Sequence, residues 1–359
     1  MSIDFNSARW ERVRENSNAW WAGELKRPLI AITMGGRDPG RPEPNVPNYG
    51  FAAFYDLSIP AEDVIDRWDY NLSTSRFLGD AFPHVWPNFG AGVVAALLGA
   101  VLSSTIETST VWFHPPRDMD IHDIHFEYDP NNVWLNRIKD IMRAAVDRWQ
   151  GSVQVAMTDL GGAVDIVASF RPGEKLLLDL YDSPDEVKRL TWEVHDLWWR
   201  YFDEFNSVLQ PVNPGYSTWG GFFSSEPHYM LQCDFCYMIG PRMFDEFVLP
   251  ELAACCKRMP NGFYHLDGVR QLPHLDSLLT IPELKGVQWV PGAGAPGASH
   301  WPEVYRKIRD AGKLIQLIGG PNDLGTITEQ LGSAEGIYLG CGASSEQEAN
   351  DFLAKYGAL

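Results

Sequence analysis

The chain lacks any apolar run long enough to cross a lipid bilayer, and it has few basic residues for its size. Its 359 residues include 29 Lys and Arg against 47 Asp and Glu, a formal net charge of -18 at pH 7. Because this charge repels phosphate backbones and anionic lipid heads, nucleic acid and membrane surfaces are poor candidate partners. The first six residues are polar and lack a signal-peptide core. We therefore expect a cytoplasmic protein.

Cysteine is also scarce, at five residues. The count is odd, and Cys233 with Cys236, like Cys255 with Cys256, is spaced too tightly for an evident disulfide framework. Reduced thiols are the simpler expectation.

From about residue 150 onward, short apolar segments alternate with amphipathic helical patterns. Strands are predicted at 153–159, 231–236, 262–268, 286–290, 313–318 and 336–342. Helices are predicted at 184–205, 241–259, 274–279 and 301–312. This alternation is typical of a parallel sheet wrapped by crossover helices. We predict an α/β fold, a (β/α)8 TIM-type barrel.

The first 150 residues are richer in Pro, Gly and aromatic residues. Helices are predicted there at 7–22, 60–78 and 131–149. We expect a single domain, residues 1–359, in which residues 1–150 form an N-terminal helical extension and lid, and residues 151–359 form the barrel proper.

The segment 262–268, Gly-Phe-Tyr-His-Leu-Asp-Gly, presents an imidazole and a carboxylate at the end of a strand. His265 and Asp267 are two residues apart and point the same way in a strand. Repeated β/α folds build their sites at the carboxyl ends of strands. Cys341 occupies the equivalent place in the last repeat. We predict that these three side chains converge on a metal or acid/base site.

Two further carboxylates are candidate catalytic residues. Asp159 closes the first clear strand, and Asp234 lies between Cys233 and Cys236, where it would be a fourth ligand or a base. The Cys-x-x-Cys spacing has no second pair at zinc-ribbon spacing, and residues three apart in a strand face opposite sides, so we do not expect these two thiols to bind a metal ion. Packing in a helix explains Cys255 and Cys256. Four other ligand-like residues precede the barrel and are expected in surface loops: His114, His122, Asp123 and His125.

Several segments resemble the uroporphyrinogen decarboxylase superfamily. Residues 232–250 read QCDFCYMIGPRMFDEFVLP, and the motif HLDG follows at 265–268. The resemblance extends through 288–294 (QWVPGAG) and the helix at 301–312. It includes Trp20-Trp21, Arg27-Pro28 and GDAFP at 79–83, and so covers nearly the whole chain.

The resemblance implies a TIM-type barrel and two branches of activity. True porphyrinogen decarboxylases resemble one another in an arginine-rich N-terminal segment. The corresponding residues here, 29–37, contain a single arginine, Arg37. A substrate with eight carboxylates needs several cations, so porphyrin decarboxylation is disfavoured.

The other branch consists of zinc-dependent methyltransferases, which resemble one another in a His-x-Cys pair and a distant Cys that bind one zinc ion. By position, His265 matches the histidine, Asp267 stands where the first Cys would be, and Cys341 matches the second. A carboxylate oxygen is an acceptable zinc ligand, although the site becomes harder than one with two thiolates.

The resemblance implies a methyltransferase that moves a methyl group from a small methylated compound to a corrinoid carried by a partner protein. Trp219, Tyr237 and Trp289 are expected to hold the substrate. Two alternatives stay open, a non-porphyrin lyase or decarboxylase on the same barrel and a catalytically silent ligand-binding barrel. Homodimer formation also stays open.

Overall fold

The computed structural model describes residues 3–107 and 109–359 and has an α/β architecture. The strands, in chain order, are β1 (Leu29–Met34), β2 (Arg76–Gly79), β3 (His84–Val85), β4 (Val101–Thr105), β5 (Thr110–His114), β6 (Gln154–Val155), β7 (His228–Gln232), β8 (Asn261–Asp267), β9 (Gly286–Val290), β10 (Leu314–Leu317) and β11 (Ile337–Cys341).

The α-helices, in chain order, are α1 (Ser7–Trp21), α2 (Ala61–Ser73), α3 (Val94–Leu97), α4 (Val133–Trp149), α5 (Ala163–Phe170), α6 (Glu174–Asp182), α7 (Pro184–Leu209), α8 (Pro241–Phe247), α9 (Leu249–Arg258), α10 (Leu275–Leu279), α11 (Pro302–Asp310), α12 (Pro321–Leu331) and α13 (Glu346–Lys355). Within the described residues, none of these helices is both long and apolar enough to span a membrane.

The main sheet of the described residues has seven strands in the order β2-β1-β11-β10-β9-β8-β7. Only β1 and β2 pair antiparallel, and the other neighbours are parallel. The carboxyl ends of β7 to β11 therefore lie at one edge of the sheet. A two-stranded pair, β3 with β6, and the hairpin β4–β5 form separate small sheets.

Two strands from the first 150 residues belong to the main sheet. β1 pairs with β11, and β2 pairs with β1. The sheet is thus not confined to residues 151–359, and the expected boundary at residue 150 does not separate an extension from the sheet. The hydrophobic pattern of β1, four buried residues in succession, is that of a strand covered on both faces.

Local sequence explains the helices that flank the sheet. α7 begins with Pro184 in its first turn and carries Asp185 and Glu186 there, where proline and acidic side chains are favoured. The single helix predicted over 241–259 is instead two helices, α8 and α9, separated at Val248. Pro250 lacks an amide hydrogen and disfavours helical geometry in the residue before it, so the helix restarts there.

A buried ion pair joins α1, β1 and the end of β2. Arg27 donates two hydrogen bonds to Asp80, at 2.6 and 2.9 Å. The Asp80 carboxylate also accepts from Asn16 and from the amide of Ile30. Only 2% of the Asp80 side chain is exposed. Every oxygen of this buried carboxylate is therefore compensated by a donor.

Arg27→Ala is expected to destabilise the protein by about 3–5 kcal/mol, because it leaves the Asp80 charge buried without its partner. The neighbouring variant Lys26→Ala removes an exposed pair with Glu335 and should cost less than about 1 kcal/mol. Urea unfolding of both variants measures the difference. Equal losses in the two variants would contradict this account of Asp80.

Candidate functional site

His265 and Asp267 lie on the same face of β8 at its carboxyl end. The distance between His265 Nε2 and Asp267 Oδ2 is 3.9 Å. Both side chains are half-buried. The period-two geometry of the strand brings the pair together, as the sequence predicted.

The parallel register aligns His265 with polar residues of three neighbouring strands. His265 pairs with Gln232 of β7 on one side and with Gln288 of β9 on the other. Gln288 in turn pairs with Gln316 of β10. We call Gln232, His265, Gln288 and Gln316 the polar row. Its three glutamines are buried, so their amide groups need hydrogen-bond partners.

Hydrogen bonds along the polar row fix the tautomer of His265. Gln316 Nε2 donates to the carbonyl of Gly220 at 2.8 Å, and a carbonyl can only accept. Gln316 Oε1 therefore accepts from Gln288 Nε2 at 2.7 Å, which leaves Gln288 Oε1 to accept from His265 Nδ1. With its hydrogen on Nδ1, His265 has a free lone pair on Nε2. A neutral imidazole held in this way is suited to metal binding.

Asp234 completes a group of potential ligands with His265 and Asp267. It follows β7, the strand next to β8, and begins a short 3-10 helix, Asp234–Met238. One ligand atom from each of the three residues lies within 4.8 Å of the others. Two carboxylates and one imidazole form an acceptable donor set for zinc. The residues present therefore fit a metal ion.

Cys341 is not part of this group, contrary to the sequence prediction. It ends β11, which is separated from β8 by β9 and β10. Among the described residues, it belongs to neither cluster of potential ligands. Burial is the larger cause that raises the pKa of its thiol, followed by the charge of Glu348. Equivalent places in two repeats of the chain do not bring the two strands side by side.

Asp234 also lines a cavity of about 730 Å³. The hairpin β4–β5 forms one wall of it, with Trp112 and Phe113 among the lining residues. Polar groups that line it include Asn88, His114, Asp159, Asp165, Gln232 and Asp234. Aromatic groups include Phe51, Trp86, Trp112, Phe113 and Phe235. None of the described lining residues is Lys or Arg, so the cavity has an acidic and aromatic character.

Asp159 is the more deeply buried catalytic candidate. Its Oδ1 accepts from the amide of Gly161 at 3.0 Å, and Tyr229 and Gln232 donate to it at longer distance. Burial raises the pKa of Asp159 to about 7, because the charged form loses its hydration, and the nearby Asp234 charge acts in the same direction. Asp159 is therefore able to hold a proton close to neutral pH.

Asp165 is a cavity carboxylate that the sequence predictions missed. It lies in the first turn of α5 and accepts from the amides of Asp234 at 3.0 Å and Phe235 at 2.8 Å. This approach needs Gly162, because a Cβ there would lie 2.1 Å from the carbonyl of Gln232. The sequence did contain a signal for Asp165. A Gly-Gly pair follows the Asp159 strand, and an acidic residue in the next few positions is typical of the first turn of a helix.

Asp165 and Asp234 share one electrostatic environment. Burial raises the pKa of Asp165 first of all, and the Asp234 charge raises it further. Burial also raises the pKa of Asp234, while His265 lowers it. Asp234 is an exposed residue and lines the cavity.

The three predicted substrate-binding aromatics lie in different places. The Trp219 ring packs edge-on against the His265 ring, with centroids 4.8 Å apart. Tyr237 is 42% exposed and covers Gly268, where a Cβ would come within 2.7 Å of its ring. Trp289 is fully buried against Trp301, on the face of β9 opposite Gln288. Trp289 is thus a core residue, and its expected contact with substrate was wrong.

The remaining sequence candidates are accounted for by packing and exposure. Cys233 and Cys236 are buried free thiols, and burial raises the pKa of both. Within the part of the chain that the structure describes, neither joins a cluster of potential metal ligands. His122 and His125 are exposed, as expected for a surface loop. His114, by contrast, lines the cavity from the end of β5.

Comparisons with known proteins give little guidance. No protein-family model matches the chain, and no curated protein sequence matches it. Among solved structures, an enolase protein from the environmental genome shotgun sequencing of the Sargasso Sea is 11% identical, with a TM-score of 0.24. That match covers 58% of this chain and 51% of the enolase chain, about half the length of that protein.

Asp159→Asn is expected to make stability less dependent on pH. The unfolded chain releases the Asp159 proton near pH 3.8, whereas the folded protein keeps it up to about pH 7. Stability therefore falls as the pH rises through this window, by about 2–4 kcal/mol for this group. Urea unfolding from pH 4 to pH 8 should show a smaller decrease in the variant than in the wild type. Asp147→Asn, at an exposed position of α4, is the control and should leave the profile unchanged.

Proposed function

We propose that this chain is a zinc-dependent methyltransferase of the uroporphyrinogen decarboxylase-like barrel type, with a corrinoid protein as the methyl acceptor. The observation that carries the proposal is that Asp234 belongs both to the potential ligand group with His265 and Asp267 and to the wall of a substrate-sized cavity. A metal ion held by this group would lie beside a bound small molecule.

The proposal includes a closed (β/α)8 barrel. The parallel pair β3–β6 would fill the gap between β1 and β7, and together with the six parallel strands β1 and β7 to β11 it would give eight strands, with β2 as an antiparallel addition. In support of this, Tyr229 of β7 accepts a hydrogen bond from the amide of Leu160, just beyond β6, at 2.7 Å. On the other side of the gap, the amide of Asp80, in the short segment that leads into β3, donates to the carbonyl of Ile30 in β1.

Each polar residue of the site has a proposed part in methyl transfer. His265, Asp267 and Asp234 would hold zinc, which supplies Lewis acidity to a donor atom of the substrate when it is bound. In such a transfer the bond between that donor atom and the methyl carbon would break, and the corrinoid of the partner protein would supply the methyl acceptor. Asp159, whose raised pKa keeps a proton available near neutral pH, gives that proton to the donor atom that lost the methyl group.

The cavity favours a substrate that is not an anion. Three carboxylates, Asp159, Asp165 and Asp234, line it without a Lys or Arg among the described lining residues. A substrate carboxylate would find no Lys or Arg to pair with among the described lining residues, which disfavours the alternative of a decarboxylase acting on a carboxylate substrate. Methylated amines fit as cations, because carboxylates and aromatic rings attract positive charge. Methyl ethers fit because they carry no negative charge.

The proposed activity is tested with a reconstituted, reduced corrinoid protein and a panel of methylated amines and methyl ethers, with the visible spectrum of the corrinoid as the readout. The wild type should methylate the corrinoid. His265→Ala should lose one zinc ion per chain relative to the wild type and also lose activity. Cys341→Ser should keep both the metal and the activity, because Cys341 lies outside the ligand group.

Elemental analysis of the same dialysed preparations reports the metal separately from turnover. Unchanged zinc content in folded His265→Ala would contradict the ligand assignment. Corrinoid methylation that is unaffected in this variant would contradict the mechanism. Conversion of a panel compound without any change in the corrinoid spectrum would favour the lyase alternative.

Binding should also depend on the charge of the ligand. Choline and its neutral isostere 3,3-dimethylbutan-1-ol have nearly the same shape, so their affinities isolate the effect of the positive charge. We expect choline to bind at least about tenfold tighter, equivalent to about 1.4 kcal/mol, as measured by isothermal titration calorimetry. Asp165→Asn should reduce this ratio, and Asp147→Asn should not. Equal affinity of the two ligands would contradict a cation-selective cavity.

A further inference from the structure

A second cluster of potential metal ligands lies between two helices, away from the cavity. His195 belongs to α7, and Glu251 and Cys255 are four residues apart on α9. Residues with this spacing lie on the same face of a helix. The face of α9 that carries them is turned toward α7, so the three side chains meet at the helix–helix contact.

The three donor atoms are close together. His195 Nδ1 lies 2.8 Å from Glu251 Oε1, and Cys255 Sγ lies 3.0 Å from the same oxygen. The distance from Cys255 Sγ to His195 Nδ1 is 3.6 Å. Around a tetrahedral zinc ion, the bond lengths to S, N and O imply separations of about 3.3–3.6 Å between donors. The two shorter distances need to lengthen by only about 0.6 Å to accept the ion.

The surroundings of the cluster hold it in place. Cys255 is 3% exposed and Glu251 is 7% exposed. The rings of Trp192 and Trp199 flank the His195 ring, with centroids 5.0 and 6.4 Å away. The His195 side chain retains 13% exposure, which gives an ion access from the surface and leaves a position for a fourth ligand.

We propose that His195, Glu251 and Cys255 form a structural zinc site that ties α7 to α9. One thiolate, one imidazole and one carboxylate are each established zinc ligands, and the thiolate favours zinc over magnesium or calcium. On binding, zinc forms bonds to Sγ, Nδ1 and Oε1. The thiol proton leaves to solvent, and the imidazole carries its hydrogen on Nε2.

This proposal is independent of the proposed methyl transfer, and a cobalt titration separates the two. Protein stripped of metal with a chelator and kept reduced is titrated with Co²⁺. A cobalt–thiolate bond gives a near-ultraviolet charge-transfer absorption, which the group of Asp234, His265 and Asp267 cannot produce because it contains no sulfur. The expected result is a saturable absorption in the wild type that is lost in Cys255→Ser.

Two matched cysteine variants serve as controls. Cys256→Ser changes the adjacent buried thiol on the same helix, and Cys341→Ser removes the thiol that the sequence predicted as a ligand. Both should keep the absorption. Its absence in folded wild type, or its survival in Cys255→Ser, would overturn the proposal. Loss in Cys341→Ser alone would instead assign the thiolate to the site predicted from the sequence.

A further variant covers the case in which Cys255→Ser fails to fold. His195→Gln keeps every thiol and changes a partly exposed ligand at the edge of the cluster. Its fold is checked by far-ultraviolet circular dichroism. We expect the cobalt–thiolate absorption to be lost or to saturate only at higher Co²⁺ concentration. An unchanged titration in folded His195→Gln would also overturn the proposal.

Discussion

The register of the parallel strands is the constraint on which the candidate site depends. It aligns Gln232, His265, Gln288 and Gln316 in one row, and the buried amides then have to satisfy one another. The hydrogen-bond chain ends at a backbone carbonyl, so its direction has no alternative. The imidazole is held by its Nδ1 hydrogen, and Nε2 is presented toward Asp267. A slip of one residue in β9 would place Trp289 beside His265 and bury Gln288 among the helices.

The same register explains why some residues of the site could be predicted from the sequence and others could not. The β8 strand is bounded by Gly268, and its alternation places His265 and Asp267 on one face, so this pair follows from local pattern. The prediction for Cys341 came from an analogy between repeats. Such an analogy predicts that a residue lies at the carboxyl end of its strand, but it does not predict which strands are neighbours in the sheet. Strand order supplies that information, and it is a tertiary property. The prediction for Trp289 failed for a related reason. Adjacent residues of a strand face opposite sides of the sheet, and Gln288, the residue before Trp289, is the one that faces the site.

Asp165 and the cavity depend on contacts between segments distant in sequence. The close approach of α5 to the end of β7 requires Gly162, and the cavity wall formed by β4–β5 comes from a hairpin that is distant in sequence from β7 and β8. The strands β3 and β6 contain two residues each, too few to show a period. The break between α8 and α9, by contrast, has a local signal in Pro250. The prediction of one continuous helix missed it because the hydrophobic pattern is helical on both sides of that proline.

Electrostatics divides the carboxylates of the cavity into two kinds. Without a Lys or Arg among the described lining residues, each buried negative charge needs a proton, a metal ion or a cationic ligand to offset it. Asp165 directs its oxygens at two backbone amides, and Asp159 directs one at Gly161, so neither is turned toward His265. These amide donors favour the ionised form of each carboxyl group, whereas burial raises its pKa. Asp234 alone is close to Nε2 of His265 and to Asp267, because it begins the turn after the strand that adjoins β8. One cavity carboxylate thus belongs to the potential metal site, while the other two accept hydrogen bonds from backbone amides.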